Sequence, residues 1–264
     1  MRSWSMADAV GRYVKGIEWI RDRLESMDDI ADPILGIRAW DDAVCVELEG
    51  RRIVVSVDGP YTKRLALKSA LVHAATDVVV KGGRPLFALD TVIGPREDVE
   101  EIIDSLKVQA EAMRIPVLGG NTLFEDAEPR CSLTVVGELA TAEPIRDCGA
   151  QKGDVVALLG EPIWGGRDER LVKAKVLFET WFTALKDGVT INAAKDVTKG
   201  GLVSVIYEME SKSGRKFKLN ESLPYPMTRN LDNFIVTLSE YEYVNLGRIC
   251  VRHNCRMTRI GAVV

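Results

Sequence analysis

The chain has 264 residues, 46% of them hydrophobic and 28% charged, with a formal net charge of −4. That length buries a real core in one large domain or two medium ones, and the composition excludes disorder as the main state. Apolar runs such as 155–159 fall far short of the roughly 18 residues that cross a bilayer, and the balance of charge is not that of a nucleic-acid binder.

Taken in chain order, residues 5–27 read as an amphipathic helix, with Val10, Val14, Ile17, Ile20 and Leu24 near helical spacing. Asp32-Pro33 ends it. Strands follow at 43–48 and 53–57, joined by a hairpin loop at Glu49-Gly50-Arg51. A second helix covers 64–80 and stops at Lys81-Gly82-Gly83-Arg84-Pro85, before a strand over 86–92. Residues 97–113 carry the clearest helical pattern, with acidic residues crowded into the first turn. A strand at 115–118 makes 85–119 a strand-helix-strand unit, and a strand at 131–139 closes this half.

A boundary falls around 143–153. Beyond it come a buried-type strand (154–159), a helix (168–185), a strand (190–194), a helix (201–211) and a strand near Phe217. A strand (234–238), a short helix within 241–253 and a last strand (257–263) complete the chain. Strands and helices mix without strict alternation, so the predicted class is α+β in two lobes, 1–142 and 143–264. The first lobe holds 17 Lys and Arg against 24 Asp and Glu (17 − 24 = −7), the second 18 against 15 (18 − 15 = +3). This asymmetry suits a metal-binding half facing a phosphate-binding half, and equally ordinary surface variation.

Several enzyme classes are absent from the sequence. There is no Gly-x-Ser-x-Gly elbow, no P-loop and no Gly-x-Gly-x-x-Gly fingerprint. Cys250 and Cys255 flank His253, but a zinc site needs about four ligands, so these thiols read as structural or incidental. Five scattered cysteines and an N-terminus without a secretory pattern suit a cytoplasmic protein with reduced thiols.

The chemistry present is aspartates and glycine pairs at the ends of elements. Asp41-Asp42 precedes the first strand, Asp58-Gly59 follows the second, and Asp77 lies on the helix over 64–80. Pairing of the two strands draws Asp41, Asp42 and Asp58 together, a costly cluster unless a cation such as Mg²⁺ offsets the repulsion. Gly119-Gly120-Asn121-Thr122 follows a strand, and Asp196-Val197-Thr198-Lys199-Gly200-Gly201 precedes a helix. The second places amides, a lysine and a helix N-terminus together, which favours an anion. Singly, acidic turns are mostly solvated loops and glycine pairs mostly turns. Their order is the informative part.

In that order, Asp41-Asp42-Ala43, Val54-Val55-Ser56-Val57-Asp58-Gly59, Thr62-Lys63, Asp77, Gly82-Gly83-Arg84-Pro85, Gly119-Gly120-Asn121-Thr122 and Asp196-Val197-Thr198-Lys199-Gly200-Gly201-Leu202 resemble the aminoimidazole ribonucleotide (AIR) synthase-like superfamily, over about residues 35–264. The resemblance implies a first lobe that pairs into a homodimer through a shared β-barrel, a second α+β lobe, and ATP with Mg²⁺ in a cleft beside the dimer interface. By position it implies Asp41, Asp42, Asp58 and Asp77 as metal- and phosphate-binding acids and Lys63 as the basic residue on phosphate. Gly119, Gly120, Asn121 and Thr122 fall at a nucleotide position, and Asp196 with Lys199 at the active-site turn of the second lobe.

The sequence departs from the superfamily pattern at Trp40, Pro60-Tyr61, Asn121 and Lys199, and it lacks the distinguishing segments of the well-known members. The expected function is ATP- and Mg²⁺-dependent phosphoryl transfer to a small-molecule substrate. The alternative is a catalytically reduced nucleotide-binding or assembly protein on the same fold.

Overall fold

The computed structural model describes residues 6–264. Three short helices open it, α1 (Met6–Tyr13), α2 (Glu18–Leu24) and α3 (Asp28–Ala31), linked by 3-10 turns at 15–17 and 25–27. The single helix expected over 5–27 is therefore broken, and residue 5 lies outside the described residues. Gly16 sits in the first 3-10 turn, and Ile17, Leu24 and Met27 remain exposed, so no buried stripe holds a continuous helix. Asp32, in the left-handed region at φ 45°, ends the run.

Strands β1 (Val44–Leu48) and β2 (Arg51–Thr62) form the expected hairpin, with Glu49 and Gly50 both at positive φ in its two-residue turn. Next come α4 (Lys63–Val80), β3 (Gly83–Gly94), α5 (Arg96–Met113), β4 (Val117–Phe124) and β5 (Arg130–Leu139). The first sheet has the order β1-β2-β5-β3-β4 and is antiparallel except at β3–β4, the parallel pair that α5 connects. Glu97 and Asp98 sit in the first turn of α5, where the helix dipole favours them, and Arg114 ends it in the left-handed region.

The second sheet, in the order β7-β9-β6-β10-β8, is antiparallel throughout. Its elements are β6 (Val155–Leu159), α6 (Arg167–Lys186), β7 (Ala193–Asp196), α7 (Gly201–Ser213), β8 (Phe217–Leu219), β9 (Phe234–Leu238), α8 (Glu240–His253) and β10 (Met257–Val263). The strand expected at 190–194 is displaced toward Asp196, and β2 and β4 run longer than their apolar patterns. Gly119–Thr122 thus lie within β4 rather than after a strand.

Alternation along β6 shows how the layers stack. Val155, Ala157 and Leu159 join the core shared with α4, α6 and the first sheet, while Val156 and Leu158 join a second core under α7. Helix α4 is buried on nearly all sides between the first sheet and α6. Trp181 on α6 ties this middle layer together: its indole N–H donates to Val79 O at 2.7 Å, and its ring meets Phe234 edge-on at 5.1 Å. No helix among the described residues is long and apolar enough to cross a membrane.

Candidate active site between the two sheets

The acidic residues singled out in the sequence converge from three elements. The hairpin register sets Val44 opposite Val55, which returns β2 past the segment holding Asp42. Ser56 then bridges the group: its hydroxyl donates to Asp77 Oδ2 at 2.8 Å and to the Asp42 carbonyl at 3.2 Å. Asp77, half-buried, comes from α4, and Asp196 arrives from the end of β7 in the second sheet.

These carboxylates repel one another. Burial first, then the charges of Asp196, Asp58 and Asp42, holds the Asp77 carboxyl well above the usual carboxylate range. Asp196 is raised likewise, by burial and then by Asp42, with Asp232 and Asp58 adding to it. Its Oδ2 is buried without a hydrogen-bond partner. Asp58 is better satisfied, accepting its own following amide, Gly59 N–H, at 2.7 Å and the Tyr61 hydroxyl at 2.6 Å.

Beside this acidic patch lies a lysine-rich ion network. Asp147, fully buried in the segment joining the two sheets, is paired with Lys81 and lies 3.3 Å from Lys195 and 2.8 Å from Lys212. Lys81 also lies 3.1 Å from Asp42, Lys195 pairs with Asp42, and Glu208 on α7 meets Lys195 at 3.5 Å and Lys212 at 2.8 Å. Three lysines hold the Asp147 carboxyl far below the usual range despite its burial, while Asp147 and Asp42 raise Lys81. Asp41 belongs to this network. Its Oδ2 accepts the Asp147 amide at 3.2 Å, and its Oδ1 lies 3.2 Å from Lys212.

The remaining predicted residues are more dispersed. Lys63, at the start of α4, meets Asp98 at 2.5 Å and Glu101 at 2.8 Å on α5. Gly119, Gly120, Asn121 and Thr122 lie on the exposed edge strand β4, with Asn121 opposite Thr91. Gly120 packs so closely on Asp90 that a Cβ there would strike the Asp90 carbonyl. Lys199 is exposed, on the turn in which Gly200 and Gly201 both take positive φ before α7.

No three acidic, imidazole or thiol side chains among the described residues form a ready-made metal cage. The unpartnered Asp196 oxygen beside three repelling carboxylates nevertheless suits a hard cation. Mg²⁺ characteristically takes one or two carboxylates and completes its shell with water and phosphate oxygens. The donor set fits that mode.

Sequence reasoning missed Lys81, Asp147, Lys195, Glu208 and Lys212. A signal existed for two of them: Lys81 follows Val78-Val79-Val80, and Lys195 follows Ala193-Ala194 in a buried strand, so both enter the interior with their neighbours. It also passed over His73. Helix α4 directs His73 to Asp232, 3.0 Å from Nδ1, and leaves its buried Nε2 without a partner.

Two sheets that bring aspartates of both halves to one buried junction define an α+β protein. Residues 40–139 match the family described as AIR synthase related protein, N-terminal domain. An uncharacterized protein of Methanocaldococcus jannaschii is 37% identical over 244 residues, covering 90% of this chain and 80% of that protein. The chain belongs to the AIR synthase-related family. A selenide, water dikinase of Caldanaerobacter subterraneus is 27% identical over 217 residues, 72% of this chain and 62% of that protein, so the chain spans under two thirds of its length. The fold is shared with Thermotoga maritima PurL complexed with ATP, at a TM-score of 0.74 and 15% identity, over 98% of this chain and 50% of that one.

Proposed function

We propose that this protein binds ATP with Mg²⁺ between its two sheets and transfers the terminal phosphoryl group to a small-molecule substrate. The observation that carries this reading is the buried Asp196 carboxylate, with an unpartnered oxygen, facing Asp42, Asp58 and Asp77 across the junction. Its relatives include a selenide, water dikinase and, in fold, a protein complexed with ATP. Bound Mg²⁺ would neutralise charge on the phosphates.

In this reading the cation takes one or two of the carboxylates of Asp42, Asp58, Asp77 and Asp196, with water and phosphate oxygens completing its shell, and Asp41 keeps the junction rigid through Asp147 and Lys212. Lys63 exchanges Asp98 and Glu101 for phosphate. Gly119–Thr122 hold the nucleotide, and the Thr198–Gly201 turn with Lys199 orients the transferring group. Catalysis is then mainly positioning and electrostatic stabilisation, as is general for phosphoryl transfer. Residues 1–142 and 143–264 act as the two walls of the cleft, in a cytoplasmic protein.

The outer face of the first sheet supports a homodimer. Val44 and Leu48 on β1, Val57 on β2, Leu89 on β3 and Leu123 on β4 are all large, apolar and exposed. The strand registers set them on one face, since Val44 opposes Val55, Val57 opposes Thr134, and Thr134 opposes Leu89. An apolar face of that breadth is what a stable interface covers.

The test is release of ADP from ATP in the presence of Mg²⁺, screened across small oxyanion and carboxylate substrates. A second reading, nucleotide binding without transfer, is favoured by the engagement of Lys63 with two carboxylates. Tight ATP binding with no turnover on any substrate would select it.

A further inference from the structure

Helix α4 holds neither glycine nor proline between Lys63 and Val80, so its own sequence offers no reason for it to break. Its backbone nevertheless leaves the helical region at Ser69, at φ −166° and ψ 28°. Such a break calls for a group inserted into the i→i−4 ladder, and α5 supplies it. Gln109 Oε1 accepts the Leu71 N–H at 3.1 Å, and Gln109 Nε2 donates to the Ala66 carbonyl at 2.8 Å. The Ser105 hydroxyl, one turn earlier on α5, donates to the Leu67 carbonyl at 2.9 Å and accepts from Gln109 Nε2 at 3.2 Å.

An unbroken α4 would need none of these bonds. Its Leu71 amide would pair with the Leu67 carbonyl and its Ala70 amide with the Ala66 carbonyl. Gln109 and Ser105 are both buried, and each would be costly there without the backbone groups that the break exposes. The two pieces of α4 are held by different neighbours. Before the break, Lys63 is paired with Asp98 and Glu101, which ties the first turn to α5. After it, Asp77 accepts the Ser56 hydroxyl and His73 lies against Asp232. The second lobe touches the break itself, through Arg170 of α6, which donates to the Ser69 hydroxyl at 3.1 Å.

We propose that Gln109, supported by Ser105, is a positioning residue for phosphate binding: it keeps α4 broken at Ser69 and so sets the direction in which the first turn presents Lys63 to the phosphates of a nucleoside triphosphate. Both residues act through Lys63, and the proposal rests on the reading of Lys63 as the group that takes phosphate. Loss of the Gln109 amide frees the Ala66 and Leu67 carbonyls and the Leu71 amide to pair along the helix. Helix α4 then straightens through Ser69 and carries Lys63 out of line.

The experiment measures Mg²⁺–ATP affinity by calorimetry on the full chain, in the wild type, Lys63→Met, Gln109→Met and the double variant, with the carbon chemical shifts of Ser69 read by NMR. Methionine matches glutamine in length and helix propensity and cannot replace its amide. Gln109→Met and Lys63→Met should each weaken binding about tenfold, and the double variant should bind no more weakly than Lys63→Met alone. The Ser69 shifts should move to helical values in Gln109→Met. Where that variant fails to fold, Ser105→Ala, which removes only the bond to the Leu67 carbonyl, should weaken binding about threefold, again with no added loss in the Lys63→Met background. Losses that add in the double variant, or a Gln109→Met chain that binds like the wild type, would overturn the positioning role and leave the reading of Lys63 intact. A wild type without affinity, or an affinity that Lys63→Met leaves unchanged, would overturn that reading and the proposal with it.

Discussion

Lys81, one residue past the end of α4, is ion-paired with Asp147 in the segment between the two sheets, and neither side chain is exposed to solvent. The pair joins the element that carries Asp77 to the strand that carries Asp196, because Lys81 also donates to the Ala194 carbonyl at 2.8 Å. A buried charge pair adds little net stability over apolar packing, but loss of one partner strands the others.

Asp147→Ala should therefore destabilise the fold by about 3–5 kcal/mol, since it leaves Lys81, Lys195 and Lys212 to share Asp41, Asp42 and Glu208. Urea unfolding followed by tryptophan fluorescence measures this. A loss below about 1 kcal/mol, the worth of an exposed pair, would mean that the network is not buried in solution.

The acidic cluster carries the opposite sign. Asp77 and Asp196 have folded-state values raised above the unfolded-state value of about 3.9. Such groups contribute stability that is full below the unfolded value and lost as pH rises through the folded one. The cation-free protein should thus lose thermal stability as pH climbs above about 4. Asp196→Asn should raise the melting temperature at neutral pH in EDTA and abolish any further rise on adding Mg²⁺. Asp147 works in the reverse sense, its contribution disappearing only in strong acid.

Much of this fold was legible in the sequence because the apolar periods are clean. The helix of 97–113 and the strands of 131–139, 154–159 and 234–238 appear within a residue or two of their patterns. The helix over 5–27 misled because its apolar stripe is covered only in part: Val10, Val14 and Ile20 are half-buried, while Ile17 and Leu24 stay exposed. Among the site residues, the motif order located the acids and the hairpin explained why Asp42 and Asp58 approach. The lysine network was invisible because Asp147 and Lys212 lie 65 residues apart and no local pattern marks their meeting. Composition treats every lysine as solvated, whereas Lys81 follows three valines into the interior.

Val57, 69% exposed on the first sheet's outer face, tests the homodimer. Val57→Glu places a charge where the partner would cover it and should weaken self-association at least about tenfold. Light scattering over a dilution series reads the change. A wild-type chain that stays monomeric at high concentration would remove the basis for a covered sheet.

The central claim is that the acids between the sheets bind nucleotide through a divalent cation. Calorimetric titration of ATP, with Mg²⁺ and with EDTA, on the wild type and on Asp58→Asn, tests it most directly. The expected result is binding that requires Mg²⁺ and weakens about tenfold or more in the variant, the equivalent of about 1.4 kcal/mol. Binding that is the same in EDTA, or unchanged in the variant, would contradict a nucleotide-metal site at Asp58.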